Sequence, residues 1–335
     1  MYAYDKTIGR KRKKLKMKIG VLDALTVGQD IDLTPLGACG ELVIYELTTP
    51  EEVAERVKDL DIIITNKVVL GEDNLKACTH LKMIGLLATG YNNIDLDYAK
   101  AHGIAVANVA GYSTESVAQH TFAMLLHLEE HLGQYDAYVK SKQYANSDTF
   151  TYIAWPYRQL SGKTMGIIGM GAIGKAVARI ATAFGMKVIY YSTSGKNNSA
   201  STYERVSLQE LLKMSDVVSI HAPYNYETHH LIGYEQMACM KPTAYLLNLG
   251  RGNIVIEADL VKALNENLIA GAALDVLEKE PITHESVLFD VIDQNKLLIT
   301  PHIAWASVEA RETLIQEVVQ NIEAFKKQEA RNRIV

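Results

Sequence analysis

The sequence has few cysteines, and those present form no pattern. Its 335 residues include three, Cys39, Cys78 and Cys239, which lie far apart and make no CxxC pair. An odd number of isolated cysteines argues against a disulfide-stapled secreted fold and favours reduced thiols in the cytoplasm. No apolar run approaches the roughly 18 residues that a membrane-spanning helix needs, so we expect no association with a membrane.

Positive charge is scarce beyond the first residues. Residues 1–16 hold seven Lys or Arg and one Asp, a net +6, so the formal charge of −5 leaves −11 for the remainder. An acidic body lacks the clustered Lys and Arg that nucleic-acid binding requires. We interpret residues 1–16 as a disordered basic extension, with Met17 as a more natural first residue; a functional basic arm is the alternative.

The sequence does contain a regular alternation of short apolar runs and amphipathic helical patterns. Most of the runs lack polar alternation, which is typical of parallel strands covered on both faces. The predicted strands are 18–22, 61–65, 83–88, 104–109, 164–168, 187–191, 216–220, 244–248, 269–275 and 296–299. This β–α alternation predicts an α/β fold with doubly wound sheets.

Two long helical segments divide the chain. We predict one over residues 114–143 and a second at about 307–328, and the length is enough for about two domains. We therefore expect an outer unit of residues 17–112 completed by 303–335. A second unit, residues 113–302, is inserted in it.

A glycine-rich turn indicates a dinucleotide site. Gly169, Gly171 and Gly174 form a GxGxxG motif, with Ala172 and Ile173 between the last two glycines. The motif alone is weak, but here it follows a predicted strand and opens a predicted helix. In that context the glycines allow a tight turn, close approach to a pyrophosphate and close helix–strand packing.

The strand after this motif ends without the expected acid. An NAD site usually has Asp or Glu there to bind the ribose hydroxyls. This chain has Ser192, followed by Thr193, Ser194, Gly195 and Lys196. We expect NAD as the cofactor, with NADP as an alternative because no carboxylate would repel a 2′-phosphate. No Arg adjoins Ser192 in the sequence to bind such a phosphate in bidentate fashion.

Three polar side chains follow the ends of later strands. They are Arg251, Glu280 and His302, and the carboxyl ends of parallel strands face the ligand crevice of such a sheet. Taken alone, His302 is better explained as a half-buried structural histidine. Together the three suit the reduction of a 2-keto acid: Arg251 polarises the carbonyl, His302 donates the proton, and Glu280 orients His302 and favours its imidazolium form. Asp275 could hold the nicotinamide carboxamide.

These motifs resemble those of the D-isomer-specific 2-hydroxyacid dehydrogenase family, over about residues 17–328. The matching stretches are residues 169–174, 219–223 with Thr228, 248–252, 275–281 and 300–304. The resemblance implies a Rossmann dinucleotide-binding domain inserted in a flavodoxin-like substrate domain. It also implies the three catalytic roles just described.

The resemblance further implies binding residues and a partner. The cofactor-binding residues implied are Thr114, Gly169, Gly171, Ala172, Ile173, Gly174, Ser192, His221, Ala222, Pro223, Thr228, Leu249, Gly250, Arg251, Asp275, His302 and Ala304. The substrate carboxylate is expected to bind backbone amides of Leu87, Ala88, Thr89 and Gly90. Family members are usually homodimers through the inserted domain, with the helix after Ser113 taking part.

Within the family, residues 87–93, 111–120 and 302–305 look most like glycerate dehydrogenases, also called hydroxypyruvate reductases. We therefore expect a small 2-keto acid such as hydroxypyruvate or glyoxylate as substrate. Trp305 either borders its pocket or packs at a hinge. The alternatives are a D-lactate-type or 3-phosphoglycerate dehydrogenase, or a corepressor-like protein that senses the dinucleotide.

A zinc-site pattern is also present. His127, Glu130 and His131 match HxxEH, with the histidines expected on one helix face. No third ligand is evident, and the dinucleotide motifs explain the chain without zinc. We therefore expect no metal.

Overall fold

The structure, a computed structural model, describes residues 16–195 and 202–335. The predicted basic extension lies outside the described residues except for Lys16, and Lys196 lies outside them as well. The described chain divides into two compact units. The first comprises the described residues up to Tyr112 together with Val308–Val335, and the second comprises Ser113–Ser307.

The strands and helices alternate along the chain. The strands are β1 (Lys18–Val21), β2 (Glu41–Ile44), β3 (Ile62–Thr65), β4 (Met83–Leu86), β5 (Ala105–Ala107), β6 (Thr164–Ile168), β7 (Lys187–Tyr191), β8 (Glu204–Arg205), β9 (Val217–Ile220), β10 (Tyr245–Asn248), β11 (Gly271–Leu274) and β12 (Leu297–Ile299). The helices are α1 (Pro50–Val57), α2 (Glu72–Leu75), α3 (Leu96–Ala101), α4 (Thr114–Glu130), α5 (Leu132–Lys140), α6 (Ala172–Ala183), α7 (Leu208–Met214), α8 (Tyr234–Ala238), α9 (Glu257–Asn265) and α10 (Val308–Lys326).

The first unit contains a five-stranded parallel sheet. Its strand order is β2-β1-β3-β4-β5, which is the flavodoxin-like order that the resemblance implied. The central strands β3 and β4 are buried along their whole length, because both faces of the sheet are covered. The expected α/β class is confirmed in this unit.

The second unit contains a seven-stranded parallel sheet. Its order is β12-β11-β10-β9-β6-β7-β8, with β6 lying between β7 and β9. This is the Rossmann order extended by one strand, and the direction of winding reverses beside β6. Successive residues belong to opposite apolar clusters: Ile168 and Leu246 pack on one face, Ile167 and Leu247 on the other. The expected doubly wound Rossmann fold is confirmed.

Two short edge strands escaped the sequence analysis. β2 is largely exposed, and β8 is two exposed residues long. β2 contains the apolar run Leu42-Val43-Ile44, which was not interpreted as a strand, whereas the two charged residues of β8 form no apolar run. β8 brings Arg205 alongside β7.

The prediction of one helix over residues 114–143 was wrong. Helix α4 ends at Glu130, and His131 has a left-handed backbone with φ of 51° before α5 begins. A helix cannot continue through such a residue. His127 and His131 therefore do not lie on one regular helix face, and no group of three or more metal-ligating side chains was found in residues 16–195 and 202–335.

The division between the units falls later than residue 302. Residues 303–307 belong to the second unit because Asp275 and Ser116 of that unit hold them. The Ser116 hydroxyl donates to the carbonyl of Ala304 at 2.6 Å and accepts from Ser307 N at 3.3 Å.

No helix among the described residues is long and apolar enough to cross a membrane.

Candidate active site

The glycine-rich turn between β6 and α6 is built by close backbone packing. Gly169 has φ of +96°, and a Cβ there would lie 2.8 Å from the backbone of Ala222. A Cβ on Gly174 would overlap the carbonyl oxygen of Gly169, whereas the space around Gly171 is open. The turn therefore exposes backbone at Gly171 and presents the amino-terminal end of α6, where free N–H groups favour a phosphate.

Two buried polar atoms on either side of this turn lack partners. Among all described residues, the buried side-chain atoms without a hydrogen bond are Ser192 Oγ and His221 Nδ1. Ser192 follows β7 and His221 follows β9, the two strands that flank β6. Buried polar groups are nearly always paired in the functional state of a protein. The glycine-rich turn and these two unpaired atoms fit a dinucleotide bound beside β6, where the direction of winding of the sheet reverses.

The ring of His221 is neutral. Burial lowers the pKa of His221 to about 3, although the residue as a whole is only half-buried. Its Nε2 lies 2.8 Å from the hydroxyl of the buried Ser219. A neutral ring that uses one nitrogen on Ser219 has the other available to a ligand.

The loop after β9 is fixed from within. The buried Thr228 donates its hydroxyl to the carbonyl of Pro223 at 2.8 Å and accepts from Asn225 N at 2.8 Å. These bonds hold Ala222 and Pro223 beside Gly169. Direct contact of Thr228 with the cofactor stays a prediction, and the bonds give it a supporting role in the loop.

His302 and Glu280 form a hydrogen-bonded pair. His302 Nδ1 lies 2.7 Å from Glu280 Oε2, and each side chain is about a quarter to a third exposed. The other oxygen of Glu280 accepts from Leu277 N at 2.9 Å, which fixes the carboxylate. Since Nδ1 faces the carboxylate, Nε2 is the nitrogen that can reach a substrate oxygen.

A buried carboxylate holds the turn that carries His302. Asp275 is 2 % exposed, and its Oδ1 accepts from the Thr300 hydroxyl at 2.6 Å and from Ile303 N at 2.8 Å. Its Oδ2 accepts from Ala304 N at 2.9 Å. These bonds enforce the left-handed backbone of His302, whose φ is 55°. The predicted contact of Asp275 with the carboxamide remains untested; its observed bonds position His302.

Two further side chains support this turn. The indole N–H of Trp305 donates to the carbonyl of His302 at 2.9 Å, and the ring packs on the apolar cluster below the sheet. His120 Nε2, on α4, lies 3.2 Å from the Thr300 hydroxyl. Trp305 therefore has a structural role, and its place beside a substrate pocket stays a prediction.

Arg251 follows β10 and is exposed. Gly250 N donates to Asn248 Oδ1, and Asn248 Nδ2 donates to the carbonyl of Arg251, so the buried Asn248 fixes both sides of the turn. A Cβ on Gly252 would overlap the backbone of Leu277. The turns after β10 and β11 therefore touch, and Arg251 and Glu280 lie on adjoining turns.

Two predicted sites lie elsewhere. Thr114 is the first residue of α4. In the first unit, residues 87–90 follow β4, where the Thr89 hydroxyl donates to the carbonyl of Val109 at 2.8 Å. Substrate binding by Leu87, Ala88, Thr89 and Gly90 stays a prediction.

The sequence analysis assigned no role to three groups that the structure shows at these strand ends. Asn248 holds the Arg251 turn. Glu257 and Glu278 form a reciprocal pair, in which each backbone N–H donates to the other's carboxylate at 2.8–2.9 Å. Arg205 reaches the loop after β7. A signal existed for Asn248 and Glu278, which stand inside the recognised stretches 248–252 and 275–281.

Known proteins resemble the chain over most of its length. A model of the NAD-binding domain of D-isomer specific 2-hydroxyacid dehydrogenases matches residues 122–304. A hydroxypyruvate reductase of Blautia hydrogenotrophica is 40% identical over 318 residues, which cover 93% of this chain and 97% of that protein.

Solved structures also resemble the chain over most of its length. An acyclic imino acid reductase in complex with NADPH and D-Arg has a TM-score of 0.83 at 30% identity, covering 95% of this chain and all of that one. A D-lactate dehydrogenase from Aquifex aeolicus with NAD and lactic acid has a TM-score of 0.78 at 32% identity, covering 93% and 96%.

Replacing Asp275 by Asn should destabilise the second unit. The new amide group would face a backbone N–H or hydroxyl donor in a buried place, a loss of about 1–3 kcal/mol in the free energy of unfolding. Urea unfolding without cofactor measures it. Asp290→Asn, at an exposed position, is the control and should change little. Equal stability of both variants would contradict the role given to Asp275.

Proposed function

The chain belongs to the D-isomer-specific 2-hydroxyacid dehydrogenase family, as its motifs predicted, and on that premise we propose that it reduces hydroxypyruvate to D-glycerate. Glyoxylate, reduced to glycolate, is the second substrate. The observation that carries the mechanism is the His302–Glu280 pair at the sheet edge that also carries the glycine-rich turn.

The protein is an NAD(P)-dependent dehydrogenase, and the expected cofactor class is confirmed. When bound, the reduced nicotinamide supplies the hydride for the keto carbon. On our proposal, residues 169–174 hold the pyrophosphate, and Ser192 and His221 contact the cofactor on either side. The chain's own residues then have to bind the keto acid and deliver one proton.

His302 delivers that proton. As imidazolium it donates from Nε2 to the carbonyl oxygen, which becomes the hydroxyl of the product as hydride reaches the carbon. Glu280 orients the ring, since its carboxylate lies 2.7 Å from Nδ1 and leaves Nε2 to face the substrate. In the reverse direction the neutral ring accepts the proton.

Arg251 binds the keto acid. Its planar guanidinium can hold a carboxylate oxygen and the keto oxygen together and stabilise the charge that develops on the latter. Its Nη1 donates to the carbonyl of Gly250 at 2.8 Å, which restrains the side chain at the turn. The remaining donors of the guanidinium can serve the substrate.

The substrate choice rests on similarity. The relative from Blautia hydrogenotrophica is named a hydroxypyruvate reductase, and residues 87–93 and 302–305 are of the kind expected for that activity. A D-lactate-type activity is the second candidate, because a D-lactate dehydrogenase has a similar structure. A 3-phosphoglycerate activity is less favoured, since residues 87–93 carry no basic cluster for a phosphate.

Initial rates with four keto acids test this proposal. We expect hydroxypyruvate to give the highest kcat/KM, followed by glyoxylate, with pyruvate and 2-ketoisocaproate at least tenfold lower. Oxidation of NADH and NADPH at 340 nm measures the rates. A preference for pyruvate or for 2-ketoisocaproate would be compatible with the proposed mechanism but would refute hydroxypyruvate as the substrate.

Replacing His302 by Gln should remove the proton donor and leave cofactor binding. We expect kcat to fall roughly 10²–10⁴-fold, the usual contribution of general acid catalysis. Glu280→Gln should also lower kcat, because the ring loses the carboxylate that orients it. The control is His284→Gln, at an exposed position. Turnover of the His302 variant within threefold of the unaltered enzyme would exclude His302 as donor.

We also propose that the chain forms a homodimer through the second unit. Helix α5 and the residues up to Tyr157 expose several apolar side chains: Leu132, Val139, Phe150, Ile153 and Tyr157, of which Phe150 is 89 % exposed. Tyr138 stacks on Tyr152 at 3.8 Å, which keeps this segment against α5. A contiguous exposed apolar surface is typical of a subunit interface.

Sedimentation equilibrium tests the homodimer. We expect twice the mass of the 37.1 kDa chain and a shift to monomer in the double variant Phe150→Asp, Ile153→Asp, since two charges cannot be buried unpaired. Ile292→Asp, at another exposed apolar position, is the control. A monomeric unaltered protein at micromolar concentration would refute the proposal.

A further inference from the structure

The loop after β7 carries a buried hydroxyl with no partner. Ser192 is 4 % exposed, and its Oγ makes no hydrogen bond to any described residue. It stands where NAD-binding Rossmann folds place an acid that binds the ribose hydroxyls. Its own carbonyl accepts from Gly195 N, so residues 192–195 form a tight turn beside the glycine-rich turn, whose Gly169 N donates to the carbonyl of Tyr191.

The short edge strand β8 brings an arginine to the same turn. Arg205 is paired in register with Tyr190, two residues before Ser192. Its Nη1 lies 3.4 Å from the carbonyl of Gly195. The sequence separation of 13 residues hides this proximity, which exists only because β8 pairs in parallel with β7.

The charge around this turn suits an anion. Residues 192–203 contain no Asp or Glu. The nearest acid along β8, Glu204, is in register with Ile189, so its side chain points to the opposite face of the sheet from that of Arg205. A guanidinium that reaches the turn of Ser192, in a segment without acidic residues, suits a phosphate better than a bare ribose.

We propose that Arg205 and Ser192 bind the 2′-phosphate of NADP(H) and make it the preferred cofactor. The inference rests on the proposed dehydrogenase function and adds the residues that choose between the two dinucleotides. Arg205 donates to the phosphate oxygens, and the Ser192 hydroxyl gains the partner that it lacks. NADH offers no 2′-phosphate to either residue.

Replacing Arg205 by Gln tests the proposal. For the unaltered enzyme we expect kcat/KM with NADPH to exceed that with NADH by tenfold or more. In the variant this ratio should fall by roughly ten- to hundredfold, the range for loss of a charged hydrogen bond. Rising salt should weaken NADPH binding more than NADH binding. The preference of the unaltered enzyme for NADH would overturn the proposal.

A second substitution and a control distinguish an effect of charge on cofactor preference from a general effect of substitution on the structure. Ser192→Asp should reverse the preference, because a carboxylate repels the phosphate and binds ribose hydroxyls. Arg179→Gln removes an exposed arginine of α6 that pairs with Glu115, and its ratio should equal that of the unaltered enzyme. An unchanged ratio in the Arg205 variant would also overturn the proposal.

Direct binding keeps this inference distinct from the substrate proposal. Titration calorimetry with 2′,5′-ADP and with 5′-ADP needs no keto acid and no turnover. We expect 2′,5′-ADP to bind at least tenfold more tightly, and that advantage to vanish in Arg205→Gln. If the advantage is lost in the variant, Arg205 is shown to bind the 2′-phosphate, even where hydroxypyruvate proves to be the wrong substrate. Equal binding of the two nucleotides by the unaltered enzyme would refute this role.

Discussion

The buried carboxylate of Asp275 is the interaction on which the catalytic arrangement depends. Burying a charge is unfavourable unless hydrogen bonds replace its hydration. Here the Thr300 hydroxyl and the N–H groups of Ile303 and Ala304 do so. Those donors come from the turn after β12, so satisfying the carboxylate also fixes that turn, and the left-handed backbone of His302 follows from it. The position of His302 therefore depends on Asp275, a residue on the turn after another strand.

The parallel sheet makes such an arrangement possible. Every strand of the second sheet ends at the same edge, so turns that lie up to about 130 residues apart in sequence become neighbours there. Glycines then permit the contacts between turns. Gly169 meets the backbone at Ala222, and Gly252 meets the backbone at Leu277. The site is therefore assembled mainly from backbone contacts, with few side chains projecting from them.

The fold and the chemically distinctive residues were predictable because they leave strong local signals. Interior parallel strands are continuous apolar runs, and Arg251, Glu280 and His302 lie within three to six residues of the ends of such runs. The break at His131 was not predictable, since a left-handed residue inside an apolar helical pattern leaves no sequence signal. The place of Arg205 depends on a two-residue strand whose pairing is decided by its neighbours. The hydrogen bonds of Asp275 could not be predicted either, because they depend on the path of the turn after β12.

Carboxylates gather beside His302. The turn after β11 brings three carboxylates together, Glu257, Glu278 and Glu280, and it holds them with backbone N–H groups. Burial, with the charges of Glu278 and Glu280, raises the pKa of Glu257 above its usual range, against the lowering effect of the Glu278 N–H. Glu280 differs from the other two carboxylates in its partners, because one oxygen accepts from Leu277 N and the other faces His302 Nδ1. It is therefore the carboxylate of the three that orients the His302 ring.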